Sequence, residues 1–99
     1  MPDVVRELSL TVAAIKKLGR RGISRREVEQ LTDNRYVIGP NRGRRRRSAR
    51  KMRARRILVG HTNGGRALTL VVERTGEPTS WTVVTGWNST KRERRLLGG

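Results

Sequence analysis

The chain has 99 residues, enough for one domain (1–99), and a domain of this size buries only roughly two-thirds of the surface its unfolded form exposes, so its core is small. With no Cys and a single His, it has neither a disulfide framework nor the ligands of a structural zinc site. Against 8 acidic residues stand 24 basic ones, 20 of them Arg, for a net charge of +16. A field of that sign attracts polyanions, and the planar fork of arginine grips phosphate in two places where lysine offers one. Nucleic acid is therefore the expected partner, with an acidic protein as the alternative.

No apolar run approaches the ~20 residues that cross a bilayer, and the start MPDVVRELSL has neither a basic n-region nor a long apolar one. A cytoplasmic protein without a membrane partner is expected. Residues 8–18, LSLTVAAIKKL, put Leu8, Val12, Ile15 and Leu18 at helical spacing, with Ser9 or Thr11 to start the helix and Gly19 or Gly22 to stop it. Ser24 and Glu27 then form a capping box, and Ile23 is placed to staple onto Val28. This predicts a second helix over 25–31, with Val28 and Leu31 as its core stripe and Glu27 as a cap. Tyr36, Val37 and Ile38 read as an edge strand ended by Gly39 and Pro40. Residues 41–56, NRGRRRRSARKMRARR, carry ten Arg or Lys in sixteen positions. Self-repulsion and the lack of apolar residues predict a flexible basic loop. It serves either as an RNA-backbone clamp, through Arg44, Arg45, Arg46, Arg47, Arg50, Lys51, Arg53 and Arg55, or as a solvated loop that orders on an acidic partner.

Residues 53–97 hold most of the β-branched and apolar sequence. Two runs, 57–59 and 67–72, flank Thr62-Asn63-Gly64-Gly65, and Asn-Gly favours a type I′ hairpin because both central residues need positive φ. That turn would set His61 opposite Arg66, Val59 opposite Leu68 and Ile57 opposite Leu70. A third run, 81–84, follows the turn at Gly76 and Pro78. Its register puts Val83 opposite Val72, and Trp81 and Trp87 on the face of Leu68 and Leu70, and a one-residue slip would exchange the faces. Thr90 and Glu93 form a second capping box and predict a helix over 91–97, stopped by Gly98. The expected fold is α+β: an N-terminal helix pair, a small antiparallel β-meander and a short C-terminal helix.

Three stretches, taken with this order of elements, carry a family likeness: residues 17–31, KLGRRGISRREVEQL; Gly65-Arg66 with the apolar strand after it; and residues 90–94, TKRER. They resemble the RelE/ParE superfamily of small toxins and, more specifically, the BrnT family of ribonuclease toxins from bacterial type II toxin-antitoxin modules. Trp87 stands where the resemblance leads one to expect an arginine closing the last strand. The resemblance implies endonucleolytic cleavage of RNA, with mRNA as substrate, inhibition of translation, and neutralisation by a cognate antitoxin in a hetero-oligomer. It also singles out Arg66 and the Glu93-Arg94 pair.

The residues themselves are compatible with that chemistry. RNA brings its own nucleophile, the 2′-OH, so cleavage without metal or cofactor needs orientation, stabilisation of developing negative charge and proton transfer. Arginine supplies charge but stays protonated, which leaves His61, Glu73 and Glu93 as proton carriers and Arg66 as the first choice for the charge. Each has a plainer role open to it: His61 as a solvated hairpin residue, Glu73 as a partner of Arg74, Glu93 as a helix cap. Two other functions stay open, a non-enzymatic nucleic-acid-binding module and a ParE-like toxin acting on a protein target.

Overall fold

A computed structural model describes residues 4–40 and 55–98 of the chain. The elements run β1 (Glu7–Leu10), α1 (Val12–Gly19), α2 (Arg25–Asp33), β2 (Tyr36–Pro40), β3 (Arg55–His61), β4 (Ala67–Arg74), β5 (Ser80–Asn88) and α3 (Lys91–Arg95). The five strands form one mixed sheet in the order β1-β5-β4-β3-β2. This corrects the expected α+β layout of a helix pair followed by a small meander: strands take 41% of the described residues against 27% for helices. The expected edge strand, β2, lies at one edge, antiparallel to β3, and β1 is added at the other, parallel to β5.

The missed strand has a physical explanation. Leu8 and Leu10 are half-buried between exposed neighbours, the two-residue period of a strand, and they lie beside Trp81 and Val83 of β5. The helix begins only after Thr11, whose hydroxyl accepts the Ala14 amide at 3.1 Å. Of the stripe predicted from Leu8, only Leu18 is buried in α1: Val12 is 70% exposed and Ile15 38%, and Ala14 is the helix's other buried residue. The N-terminus of α2 is as expected. Ser24 accepts the Glu27 amide at 3.2 Å, and Glu27 accepts the Ser24 amide at 3.0 Å.

The hairpin between β3 and β4 differs from expectation by one residue. The Gly65 amide donates to the Thr62 carbonyl at 2.9 Å, the Thr62 amide donates to the Arg66 carbonyl at 2.9 Å, and the positive φ falls on Gly65, at 86°. This is a three-residue loop with a bulge at the glycine rather than a type I′ turn. His61 consequently pairs with Ala67, Leu58 with Leu70 and Ile57 with Val71. Directly opposed residues share a face, so Leu58, Leu68 and Leu70 lie on one side, and Ile57, Val59, His61 and Thr69 on the other. On the first face Leu18, Ile23, Val28 and Leu31 from α1, α2 and their connection meet Leu58, Leu68, Leu70, Val72, Trp81 and Val83 in the main core. Val72 does pair with Val83, as expected. Trp87 pairs with Thr69 and so faces the opposite side, where α3 lies. No helix among the described residues is long and apolar enough to cross a membrane.

Candidate nucleic-acid interface

The register shift separates two residues that the sequence set side by side. Arg66 is carried to the helix face, where each nitrogen of its guanidinium donates to a protein acceptor. Nη1 donates to the Gly22 carbonyl at 2.8 Å and to Glu27 Oε2 at 3.0 Å, Nε donates to Asn88 Oδ1 at 2.8 Å, and Nη2 reaches the Arg21 carbonyl at 3.4 Å. One side chain thus joins the start of β4, the end of β5, the α1–α2 connection and the cap of α2. Glu27 titrates below the ordinary 4.5, first because the Ser24 amide donates to it and then because Arg66 adds hydrogen bonds and charge, which together outweigh its burial.

His61 ends β3 on the opposite face, half-buried, with its carbonyl accepting from Asn34 Nδ2 at 3.0 Å. On that face stand Thr69, Trp87 and Glu93. The Trp87 indole donates to Glu93 Oε1 at 3.0 Å and Oε2 at 3.2 Å, and the Thr90 amide donates to Oε1 at 2.8 Å. Burial pushes the Glu93 carboxyl up, but donation from Thr90, Trp87 and Thr69 outweighs it and holds the group below 4.5. At neutral pH Glu93 is a carboxylate whose two oxygens are already used. Trp87, the departure from the expected arginine, has a role here: it pins α3 to the sheet through its only polar atom. His61 and Trp87 sit two strands and two residues apart, roughly 12 Å between Cα atoms from ordinary sheet spacings. Glu73 pairs with Arg55 and Thr82, six positions along β4 from Ala67 and so roughly 20 Å from His61. It shares no site with His61.

The basic residues divide likewise. Arg44, Arg45, Arg46, Arg47, Arg50, Lys51 and Arg53 lie outside the described residues. Arg55 and Arg56, expected in the loop, belong to β3. Arg55 is half-buried, and its Nε has no hydrogen-bond partner among the described residues. Arg94 is exposed on α3, together with Lys91, Arg92 and Arg95. Beside α3, an apolar groove of about 600 Å³ runs along Val37, Gly39, Pro40 and Ile57 and is closed by Arg92, Glu93 and Leu96. A second group, not singled out as a site from the sequence, forms at the end of α1. Lys17, Arg20 and Arg21 surround a recess of about 370 Å³ with Thr85. The signal for it was present in the KKLGRR stretch, but only the packing of α1 on β5 brings Thr85 to it. Among the described residues no three His, Cys, Asp or Glu side chains are grouped to hold a metal ion. Comparison with protein-family models, with curated proteins and with solved structures finds no match to this chain.

Proposed function

We propose that this protein acts on RNA as a metal-independent endonuclease of the toxin kind, inhibiting translation in the cytoplasm until a cognate antitoxin covers it. The observation that carries the reading is the face opposite the helix pair, where α3 presents four exposed cations beside the face that holds His61. A cation at the first position of a helix opposes its dipole by about 0.3–1 kcal/mol, so Lys91 is not placed for the stability of α3. It suits an anionic partner.

In this reading the substrate 2′-OH attacks the adjacent phosphorus and the bond to the 5′-oxygen breaks, leaving a 2′,3′-cyclic phosphate and a 5′-OH. Proton transfer falls to His61, because both oxygens of Glu93 are engaged. Charge stabilisation falls to the arginines of α3, Arg94 being the one the resemblance singles out. Arg66 and Glu93 act as positioning residues.

A second reading, a nucleic-acid-binding module without catalysis, is favoured by the engagement of Arg66: the arginine expected to meet the phosphorane is held by protein acceptors on the other face. Incubating the purified protein with RNA in EDTA separates the two. Cleavage to cyclic phosphate ends, reduced about 10²-fold or more in His61→Ala, is the expected result. Binding without cleavage leaves the module. Growth arrest on expression, with neither binding nor cleavage, points to a ParE-like protein target.

A further inference from the structure

We infer that Lys17, Arg20, Arg21 and Thr85 form a phosphate-binding subsite, a second anchor for the RNA backbone remote in sequence from the arginine-rich residues 42–53. The inference rests on the RNA reading above and names a contact point which that reading does not contain.

Three features build the recess. First, Lys17 in the last turn of α1 and Arg20 and Arg21 just past its end all line the recess. Second, α1 is drawn tightly onto β5 because residue 86 is glycine. A Cβ there would lie 2.6 Å from Leu70 Cδ2, 2.9 Å from the Thr69 carbonyl oxygen and 3.0 Å from Leu18 Cδ2. Third, the pairing of β5 with β4 skips one residue between Val83 and Thr85, a bulge next to the point where β1 stops pairing at Val83. Past Val83 that edge of β5 is no longer paired with β1, and Thr85 lines the recess there.

The electrostatics support an anion there. No carboxylate lines the recess among the described residues. Neither Arg25–Glu29 nor Arg66–Glu27, the nearby ion pairs, uses any of the three cations. The C-terminal end of a helix normally repels an anion through its free carbonyls. Here the carbonyls of Lys16, Leu18 and Gly19 accept the amides of Arg20, Arg21, Gly22 and Ile23, so that end of α1 is satisfied by the turn that follows it. A phosphodiester suits these three cations, since an arginine fork can grip both of its non-bridging oxygens.

The test is a fluorescence-anisotropy titration of a short single-stranded RNA at several salt concentrations. It uses the full chain, the variant Lys17→Gln/Arg20→Gln/Arg21→Gln and the charge-neutral variant Thr85→Val, with circular dichroism to verify folding. Each phosphate contact on a single strand contributes about 0.7 to the slope of log affinity against log salt. The triple variant is expected to lose a slope of about 0.7–2 and to bind about tenfold or more weakly at low salt. Thr85→Val is expected to weaken binding about threefold or more with an unchanged slope, which a diffuse basic field would not produce. In parallel, inorganic phosphate should shift the amide resonances of Lys17–Arg21 and Thr85 in the wild type and not in the triple variant. RNA binding by the triple variant with wild-type slope and affinity overturns the subsite while leaving the RNA reading standing. Absence of RNA binding by the wild type overturns both.

Discussion

Arg66→Ala tests whether this guanidinium serves the fold or the substrate. The substitution removes the bonds to Asn88 and Gly22, both 2.8 Å, the 3.0 Å contact to Glu27 and the long contact to the Arg21 carbonyl. The two short bonds to neutral acceptors contribute about 0.5–1.5 kcal/mol each. The ion pair adds about 0–1 kcal/mol, because the side chains of Arg66 and Glu27 remain 31% and 27% exposed. The central values sum to a loss of about 2–3 kcal/mol. In a domain of this size each kcal/mol moves Tm by about 4–8 °C, so a fall of about 10–20 °C is expected in a thermal melt followed by circular dichroism. Glu27→Gln alone should cost less, since it spares Asn88 and Gly22, and a double-mutant cycle should return the pair's coupling. The pH dependence has a defined sign. Glu27 is depressed below 4.5, so its contribution is present above the unfolded value and lost as pH falls through the folded one. The stability difference between wild type and Glu27→Gln should close in acid. A Tm for Arg66→Ala within about 2 °C of wild type, together with abolished RNA cleavage, would refute the positioning role and return Arg66 to the substrate.

Gly86→Ala should destabilise by about 1–3 kcal/mol in urea unfolding, because its Cβ meets a backbone oxygen at 2.9 Å that cannot swing aside. Trp87→Phe keeps the ring but removes the donor to Glu93. It should cost about 1–3 kcal/mol and raise the Glu93 titration measured by carboxyl NMR. Glu93 is itself depressed, so its hold on α3 should weaken as pH falls through its folded value and be intact at neutral pH. Ser24→Ala should lose about 1 kcal/mol through the cap of α2, read as a shift in the urea midpoint at unchanged slope.

Signals contained within a few residues were legible in the sequence. Both capping boxes form with their reciprocal bonds, at Ser24 with Glu27 and at Thr90 with Glu93, because each needs only a hydroxyl, a carboxylate and two intervening residues. The pairing of Val72 with Val83 was legible for a similar reason: one short turn fixes it. Features that depend on distant partners were not. Leu8 and Leu10 fit a helical stripe as well as a strand, and only Trp81 and Val83, more than seventy positions away, decide for the strand. The second face of the sheet was hidden because Val37, Ile57 and Trp87 come from three separate strands and share a side only through register. The chemistry of Glu93 was half legible. Its capping role was written in TKRE, whereas the indole that takes its second oxygen depends on β5 turning Trp87 outward.

One turn decides which of the two expected catalytic partners faces α3. A type I′ turn at Asn63-Gly64 would have required positive φ at both residues. Contacts from α2 favour the other loop: Gln30 Oε1 accepts the Asn63 amide at 3.0 Å, and Asn34 Nδ2 donates to Asn63 Oδ1 at 2.9 Å. The Thr62 hydroxyl accepts the Arg66 amide at 3.1 Å, and Gly65, free of a Cβ, takes the positive φ. Lengthening the loop by one residue rotates every following side chain of β4 to the other face. Arg66 is thus delivered to Glu27 and into the fold, while His61, which precedes the turn, stays on the side of α3 and its cations. The end of a helix, acting through two amide side chains on one asparagine, therefore sets which residue shares a face with α3.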